Sequence, residues 1–287
     1  MSPYFSIIIP TYNRASIVKR AIDAALQQSF HDFEIIVVDD GSTDDTQEIL
    51  QSIVDSRITQ IYQSNKGVCA ARNTGASKAI GKYLLFYDSD DILMPSALND
   101  FKNANVDDKA DLLFGDVEKI NMHQKETKII RSSNPYGNNK GTGLYIAGSF
   151  CISKSFFEKI GGYDEHISFG ENTELRFRID LQKPQKVFTN SIVLKYEVST
   201  DGGSSNLINK IVSNEYIMKK HEYYFQQYPK VKQMYFQNNA IAYFKLKEYS
   251  KAIRCNMKAW LSYPKNIKTA FRMIVMCFPF LYQKRIN

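Results

Sequence analysis

Cysteine is scarce in this chain of 287 residues. Cys69, Cys151, Cys255 and Cys277 lie far apart and form no CxxC pair, so they read as reduced, buried thiols of a cytosolic protein. The four histidines, His31, His123, His166 and His221, fit no metal-ligand spacing. No stretch reaches 18 apolar residues, which argues against a membrane-spanning helix. The segment Met1–Ser6 lacks a basic region, and the apolar run Phe5–Ile9 is too short for a secretory signal. Acid is what the C-terminal part lacks. From Ser205 to Asn287 there are 15 Lys+Arg against 3 Asp+Glu, a balance of +12, whereas Met1–Ser204 holds 22 against 27, a balance of −5. A basic end on an acidic body implies two parts with different partners, with anionic membrane and nucleic acid as candidates for the basic one.

What is present is an ordinary globular composition, 44% hydrophobic and 23% charged, with 18 Tyr and 18 Phe. The stretch Tyr83-Leu84-Leu85-Phe86-Tyr87-Asp88-Ser89-Asp90-Asp91 runs five apolar or aromatic residues straight into three carboxylates. The first half reads as a strand buried on both faces. The acids then sit where that strand leaves the sheet, the place where open α/β sheets bind ligands. Three adjacent acids repel one another unless a cation lies between them. Mg²⁺ suits such a place, since it takes few carboxylates and fills its shell with water and substrate phosphates.

The surrounding pattern alternates strands and helices. Strands are predicted at Phe5–Ile9, Phe33–Val38, Ile58–Tyr62 and Leu112–Asp116. Helices are predicted from Ile17 to Leu26, to about Val54, from Val68 to about Ala79, and from Pro95 onward. Such alternation with short links implies parallel βαβ units. Beyond Asp116 the pattern loosens. Ile120–Arg131 reads as a hairpin and Ser132–Gly143 as a loop. Gly148–Ile152 reads as a strand, Lys154–Ile160 and Glu171–Leu181 as helices, Val187–Tyr196 as one or two strands, and Thr200–Asn206 as a loop or linker. From Leu207 onward only helical runs are visible, arranged like antiparallel hairpins or a single tetratricopeptide-like pair. Two domains are expected, 1–205 and 206–287.

Each strand end carries polar residues that are unremarkable alone. Asp39-Asp40-Gly41-Ser42 is an ordinary helix-starting turn, yet its acids can also accept hydrogen bonds from a base or a ribose. Thr11-Tyr12-Asn13-Arg14 offers a ring for stacking and a guanidinium for phosphate. Lys66-Gly67 and Arg72-Asn73 bring positive charge to a helix start, although Arg72 could equally sit in a structural ion pair.

The order and spacing of these blocks is specific. Pro10-Thr11-Tyr12-Asn13-Arg14, Val37–Asp44, Asn65–Asn73, Phe86–Asp91 and Gly161-Gly162-Tyr163-Asp164-Glu165 together resemble the inverting family 2 glycosyltransferases, over about Ser6 to Leu194. The resemblance implies a GT-A fold, an α/β architecture with a Rossmann-like, mostly parallel sheet flanked by helices, here with a C-terminal helical extension. It also implies a nucleotide-diphosphate sugar donor, most often a UDP-sugar, and Mn²⁺ or Mg²⁺ at the Asp-x-Asp motif. By that resemblance Asp40, with Asp39 beside it, faces the base. Asp88 faces the ribose, and Asp90 together with Asp88 holds the metal. Pro10, Thr11, Tyr12, Asn13, Arg14, Lys66, Gly67, Arg72, Asn73 and Ser89 complete the donor site, and Asp164, Glu165 and Asn172 lie on the acceptor side. The expected partners are the donor and a saccharide or lipid-linked acceptor. Peripheral contact with an anionic membrane at the cytoplasmic face is also expected, and nucleic acid is not.

The chain departs from the family at one point. The family's Glu-Asp pair, whose Asp serves as base, reads here Glu171-Asn172, followed by Glu174. An amide accepts no proton at physiological pH, so the base falls to Glu171 or Glu174, three apart on one helix face. Both are also well placed merely to complement a helix dipole. No histidine occupies Ser199–Ser205, so no metal ligand is expected there. Asn172 also motivates a rival reading, a nucleotide-sugar-binding module without catalysis. A nucleotidyltransferase is disfavoured because no glycine-rich loop follows the first strand. The apolar run Met273–Tyr282, flanked by Arg272, Lys284 and Arg285, is too short to span a bilayer but long enough to lie in its interface or to be a core helix.

Overall fold

The computed structural model describes residues 2–121, 126–133, 143–197 and 206–266. The expected loops around 134–142 and 200–205, His123, Cys277 and the apolar run Met273–Tyr282 lie outside the described residues. The chain divides into two compact units, Met1–Glu165 with Glu171–Ser199, and His166–Gly170 with Thr200–Asn287.

The first unit is built on one mixed sheet. Strands β1 (Phe5–Thr11), β2 (Phe33–Asp39), β3 (Ile58–Tyr62) and β4 (Tyr83–Phe86) lie parallel in the order β3-β2-β1-β4. The links carry α1 (Val18–Leu26), α2 (Thr46–Ser52) and α3 (Val68–Lys78). Then come β5 (Ile92–Leu93), α4 (Ala97–Ala104), β6 (Leu112–Asn121), β7 (Glu126–Ile130), β8 (Phe150–Ser153), α5 (Lys154–Lys159), α6 (Glu171–Leu181) and β9 (Lys186–Glu197). The sheet continues β4-β8-β6-β9-β5, with β7 on β6. The β6–β9 pair is parallel, and β8, β7 and β5 pair antiparallel.

The central strands are apolar throughout because both faces are covered. Side chains alternate between the faces. Ile7, Ile9, Ile35, Val37 and Leu85 pack with Val18, Ala21 and Ile22 of α1 and Leu98 and Phe101 of α4. Ile8, Ile36, Val38, Leu84 and Phe86 pack with Ala71 and Ala76 of α3, Phe156 and Phe157 of α5, and Leu175 and Ile179 of α6. Helix α3 approaches β1 so closely that a Cβ on Gly75 would stand 2.5 Å from Ile8 Cγ2.

Several expected boundaries shift. Pro95 lies two residues before α4 rather than opening it, and the two-residue β5 is not expected from the sequence, because two residues carry no periodicity. Val187–Tyr196 is one long strand that pairs with β6 on one side and β5 on the other. Cys69 and Cys151 are buried free thiols, but Cys255 is only half-buried.

The second unit holds α7 (Leu207–Lys220), α8 (Glu222–Gln227), α9 (Pro229–Lys245) and α10 (Tyr249–Ser262). Asn206 caps α7 through its side-chain oxygen, and α9 and α10 form a hairpin around Ala240, Phe244 and Ala252. Among the described residues no helix is long and apolar enough to cross a membrane.

Candidate active site

The C-terminal ends of β1, β2 and β4 lie side by side, so their loops share one edge. Thr11 and Asp39 are partners in the register of β1 and β2. The Asn13 side-chain oxygen accepts from Thr43 N at 2.8 Å, and Asn13 N donates to Ser42 Oγ at 2.9 Å. Asn13 therefore clamps the two loops together, which its positive φ of 51° permits. Arg14 N is fixed on Thr46 Oγ1 at 2.8 Å. Tyr12, 45% exposed, leaves its ring open to a ligand.

The two adjacent acids of β2 do different work. Asp40 accepts from Gln63 Nε2 (2.7 Å), Lys66 N (2.9 Å) and Gly67 N (2.7 Å), so its capacity is used in shaping the loop that starts α3. Asp39 spends Oδ1 on Ser42 N and Oγ, while its buried Oδ2 has no partner. Thr11 Oγ1 beside it is also buried and unpartnered. Of the two acids expected at the base, Asp40 is thus bonded within the protein and Asp39 holds the open acceptor. Unmet buried polar atoms cost about 1–3 kcal/mol each, and a cluster of them marks a place completed by something else.

Past β4, carboxylate oxygens of Asp88, Asp90 and Asp91 all lie within 4.8 Å of one another. Burial, then the charge of Asp88, raises Asp90. Burial, then Asp88 and Asp90, pushes Asp91 up to about 9. Asp91 Oδ1 is buried without a partner. In the sequence Asp91 is only the last member of the acidic run, and its place as third acid shows there only as adjacency. The turn itself is pinned: Tyr87 Oη donates to Asp91 O at 2.9 Å, and Arg20 Nη2 donates to Asp90 O at 3.1 Å. Three converging acids with an excess of negative charge and an orphaned oxygen fit a hard divalent cation. Ser89 is buried in this turn, and Pro10 is buried within β1.

Arg72 does not stand ready for phosphate. It is 1% exposed, and its guanidinium forks between Asp88 Oδ1 (Nη2, 2.6 Å) and Glu171 Oε1 (Nη1, 3.0 Å), 5.1 Å over the Tyr163 ring. The structural ion pair is thus the observed alternative, and it ties the end of β4 to the first residue of α6. Asn73 accepts from Tyr163 N and donates to Tyr163 O and Glu165 Oε1, all at 2.9 Å. Asn73 and Glu165 thereby hold the Gly161–Glu165 segment on α3, with half-buried Asp164 between them. Lys66 and Gly67 are exposed at the start of α3, and Gly67 takes φ 91° there.

The two acids of α6 separate. Glu174 is fully buried and bound by Arg178 through Nε and Nη2 at 2.6–3.1 Å. Buried and held by Arg178, it has no surface to offer a substrate, so of the two acids only Glu171 keeps the place of a base. Glu171 keeps 18% of its side chain exposed and has Oε1 anchored on Arg72. Asn172 Oδ1 accepts from Tyr163 Oη at 2.8 Å and so helps to fix the start of α6. Cys69 lies nearby, but burial, then Glu171, pushes its thiol up to about 12, so it is no nucleophile.

Residues 6–166 match the family described as Glycosyl transferase family 2. An uncharacterized glycosyltransferase of Rickettsia prowazekii (strain Madrid E) is 28% identical over 224 residues, covering 75% of this chain and 70% of that protein. Glycosyltransferase GlyA of Streptococcus pneumoniae is 32% identical over 169 residues, covering 58% of this chain and 21% of its own. Among solved structures, TarS 1–349 of S. aureus superposes with TM-score 0.62 at 18% identity, over 93% of this chain and 82% of that one. Its complex with UDP-GlcNAc gives 0.63 at 17% identity, over 91% and 81%. These likenesses carry the GT-A fold. Since the family match alone spans more than half of the sequence, including the ends of β1, β2 and β4, the chain belongs to glycosyl transferase family 2.

Proposed function

We propose that this glycosyltransferase moves a sugar from a UDP-sugar to a hydroxyl of a saccharide or lipid-linked acceptor, with inversion, in surface polysaccharide assembly. The catalytic domain would be residues 1–205 and the basic helical region 206–287, with the protein held peripherally at the inner face of the cell membrane. The observation that supports the reading is the fork of Arg72, which pairs with both Asp88 and Glu171; we assign the first to the donor side and the second to the acceptor side.

On the donor side, Thr11 Oγ1 and Asp39 Oδ2 offer the unmet hydrogen-bonding groups that a uracil and its ribose would satisfy, with the Tyr12 ring beside them. The solved TarS complexes contain UDP and UDP-GlcNAc, which supports the choice of nucleotide. Asp88, Asp90 and Asp91 would hold Mn²⁺ or Mg²⁺, whose positive charge offsets the charge growing on a departing diphosphate. Arg14 lies close enough to lower Asp90 and so adds positive charge on the same side.

On the acceptor side, Glu171 has the form of a positioned base, with one oxygen anchored and the other without a hydrogen bond among the described residues. It would take the acceptor proton as the hydroxyl oxygen bonds to the anomeric carbon. The bond from that carbon to the diphosphate then breaks, and its electron pair leaves with the nucleotide. Asn172, engaged by Tyr163, keeps the helix start in place and takes no proton. Glu171 thus answers the doubt raised by the missing Asp better than a module without catalysis does.

The test is a thermal-shift screen of UDP-, GDP- and dTDP-sugars with and without Mn²⁺. A ligand bound only by the folded state stabilises it, by about 2.7 kcal/mol at a hundredfold excess over Kd, and so raises its melting temperature. A metal-dependent rise with UDP-sugars supports the reading, and no rise with any nucleotide sugar defeats it.

A further inference from the structure

Helices α8, α9 and α10 enclose an open groove of about 430 Å³ that takes no part in the site above. Phe225, Pro229, Phe236 and Leu261 make it apolar, and Lys232 and Lys258 bring an ammonium from each of two helices. Pro229, Lys232 and Phe236 form one stripe of α9. Lys258 and Leu261 form one stripe of α10. Lys258 Nζ stands 5.9 Å over the Phe236 ring, and among the described residues no carboxylate pairs with either lysine. The edge is apolar as well as cationic, with Leu261 62% exposed. Between Asn206 and Asn266 the sequence places 11 Lys+Arg against 3 Asp+Glu.

We propose that this groove is the seat of an anionic phospholipid, by which the helical unit rests on a membrane surface. The inference rests on the peripheral-membrane part of the function proposed above and names the surface responsible. Free phosphate would satisfy the two ammonium groups but leave the apolar floor without purpose. A neutral apolar ligand would do the reverse. A phospholipid meets both: the headgroup phosphate pairs with Lys232 and Lys258, and the glycerol and upper acyl carbons lie on Phe236, Pro229 and Leu261. Long lysine side chains suit this place, since their stems cover apolar surface while their charged ends reach the headgroups. Interfacial binding combines buried apolar area with attraction to anionic lipid, and this groove supplies both.

The test is co-sedimentation of the full chain with phosphatidylcholine vesicles, with and without phosphatidylglycerol. The wild type is expected to bind only the anionic vesicles. A basic residue near such a surface is worth about 1 kcal/mol, or roughly fivefold, so Lys232→Gln with Lys258→Gln should lower partitioning about 25-fold. Leu261→Asp should lower it too. The melting temperature should not move, because all three side chains are peripheral. The control removes equal charge elsewhere, with Lys219→Gln on α7 and Lys245→Gln at the end of α9, and should cost much less. Equal losses in both pairs would mean diffuse attraction and overturn the groove. The groove also fails if its variants bind normally while truncation after Asn266 abolishes binding, or if it takes up an acidic peptide and no vesicle. If the wild type binds no vesicle, the membrane reading itself falls while the donor screen still judges the transferase.

Discussion

The two ends of β4 are built from the same kinds of residue and finished differently. At its start, Tyr83 Oη donates to Ala110 O, and Asn105 Nδ2 donates to Tyr83 Oη at 2.8 Å and Tyr4 Oη at 3.0 Å. Tyr4 and Lys82 both donate to Asp108, and Lys102 stands 4.1 Å over the Tyr4 ring. One acid there faces two lysines. Burial works against its charge, but hydrogen bonds from Lys82 and Tyr4 hold Asp108 below the ordinary carboxylate value. At the far end three acids converge, Asp90 and Asp91 are raised, and a buried oxygen has no partner. The lesson is that charge count and hydrogen-bond completion separate a structural cluster from a binding one, even on a single strand. The closed end has its polar groups paired; the open end keeps raised acids and an unpaired oxygen that a ligand could complete.

The widest difference should appear at Glu171, which Arg72 ties to the open end. Glu171→Gln keeps size and hydrogen bonding but removes basicity. Turnover should fall roughly 10²–10⁴-fold, the range of a general base. Donor-induced thermal stabilisation should survive. Glu174→Gln should act on the fold instead, leaving Arg178 without its carboxylate at about 3–5 kcal/mol, the usual penalty for breaking a buried pair. Steady-state kinetics beside a melting curve separates the two. If Glu174→Gln cripples turnover in folded protein, or if Asn172→Asp greatly raises it while Glu171→Gln does nothing, the assignment is wrong.

Next in size is Asp90→Ala. Residues that merely support a metal ligand are worth about 10–100-fold in metal affinity, so loss of a direct ligand should cost at least about 100-fold in metal-dependent donor affinity. Calorimetry of UDP binding with Mn²⁺ present reads this directly, and unchanged affinity would remove Asp90 from the metal site. Asp91→Asn should show the trade-off more clearly. With its carboxyl pushed up to about 9, Asp91 must take up a proton on folding at neutral pH, and an amide needs none, so the ligand-free protein should gain about 1–2 kcal/mol, within the range of single stabilising changes. The Mn²⁺ response should weaken at the same time. A variant that melts lower without ligand would break the contrast between the two ends.

How much of this was legible in the sequence follows from range. The run Tyr83–Asp91 displays its strand and its acids in nine consecutive residues, and β1 and β2 are equally plain, because a strand covered on both faces must be apolar throughout. Helix α6 was read at its observed bounds from its pattern alone. The roles of neighbouring acids were not legible. Asp39 and Asp40 differ only in where their side chains point, and Asp40 is spent on backbone groups 26 and 27 residues away. Glu171 and Glu174 share a helix face, yet only the fold brings Arg72 to one from 99 residues away, while Arg178 lies one turn from the other. Arg178 was in principle visible at that spacing. The partner of Glu171 was not.

The smallest effect is expected at the closed end, where Asp108 has a positive φ of 57°. Asn tolerates that conformation about as well as Asp, so Asp108→Asn adds no backbone strain. It removes the ion pair with Lys82, in which both side chains are more than a third exposed. Exposed pairs contribute about 0–1 kcal/mol, so the loss should stay under about 1 kcal/mol and move the melting temperature by a few degrees at most. UDP affinity with Mn²⁺ should not change. The pH dependence gives the sharper signature. A carboxyl whose folded value lies below its unfolded one contributes stability that is complete above the unfolded value and fades as pH falls through the folded one. Wild-type stability should therefore decline on acidification below the ordinary carboxylate range partly through Asp108, and the variant should decline less steeply there. Melting curves across that acid range, recorded for both proteins, measure the difference. If Asp108→Asn instead weakens UDP binding, the two ends of β4 are coupled, and the division between a finished end and an open one fails.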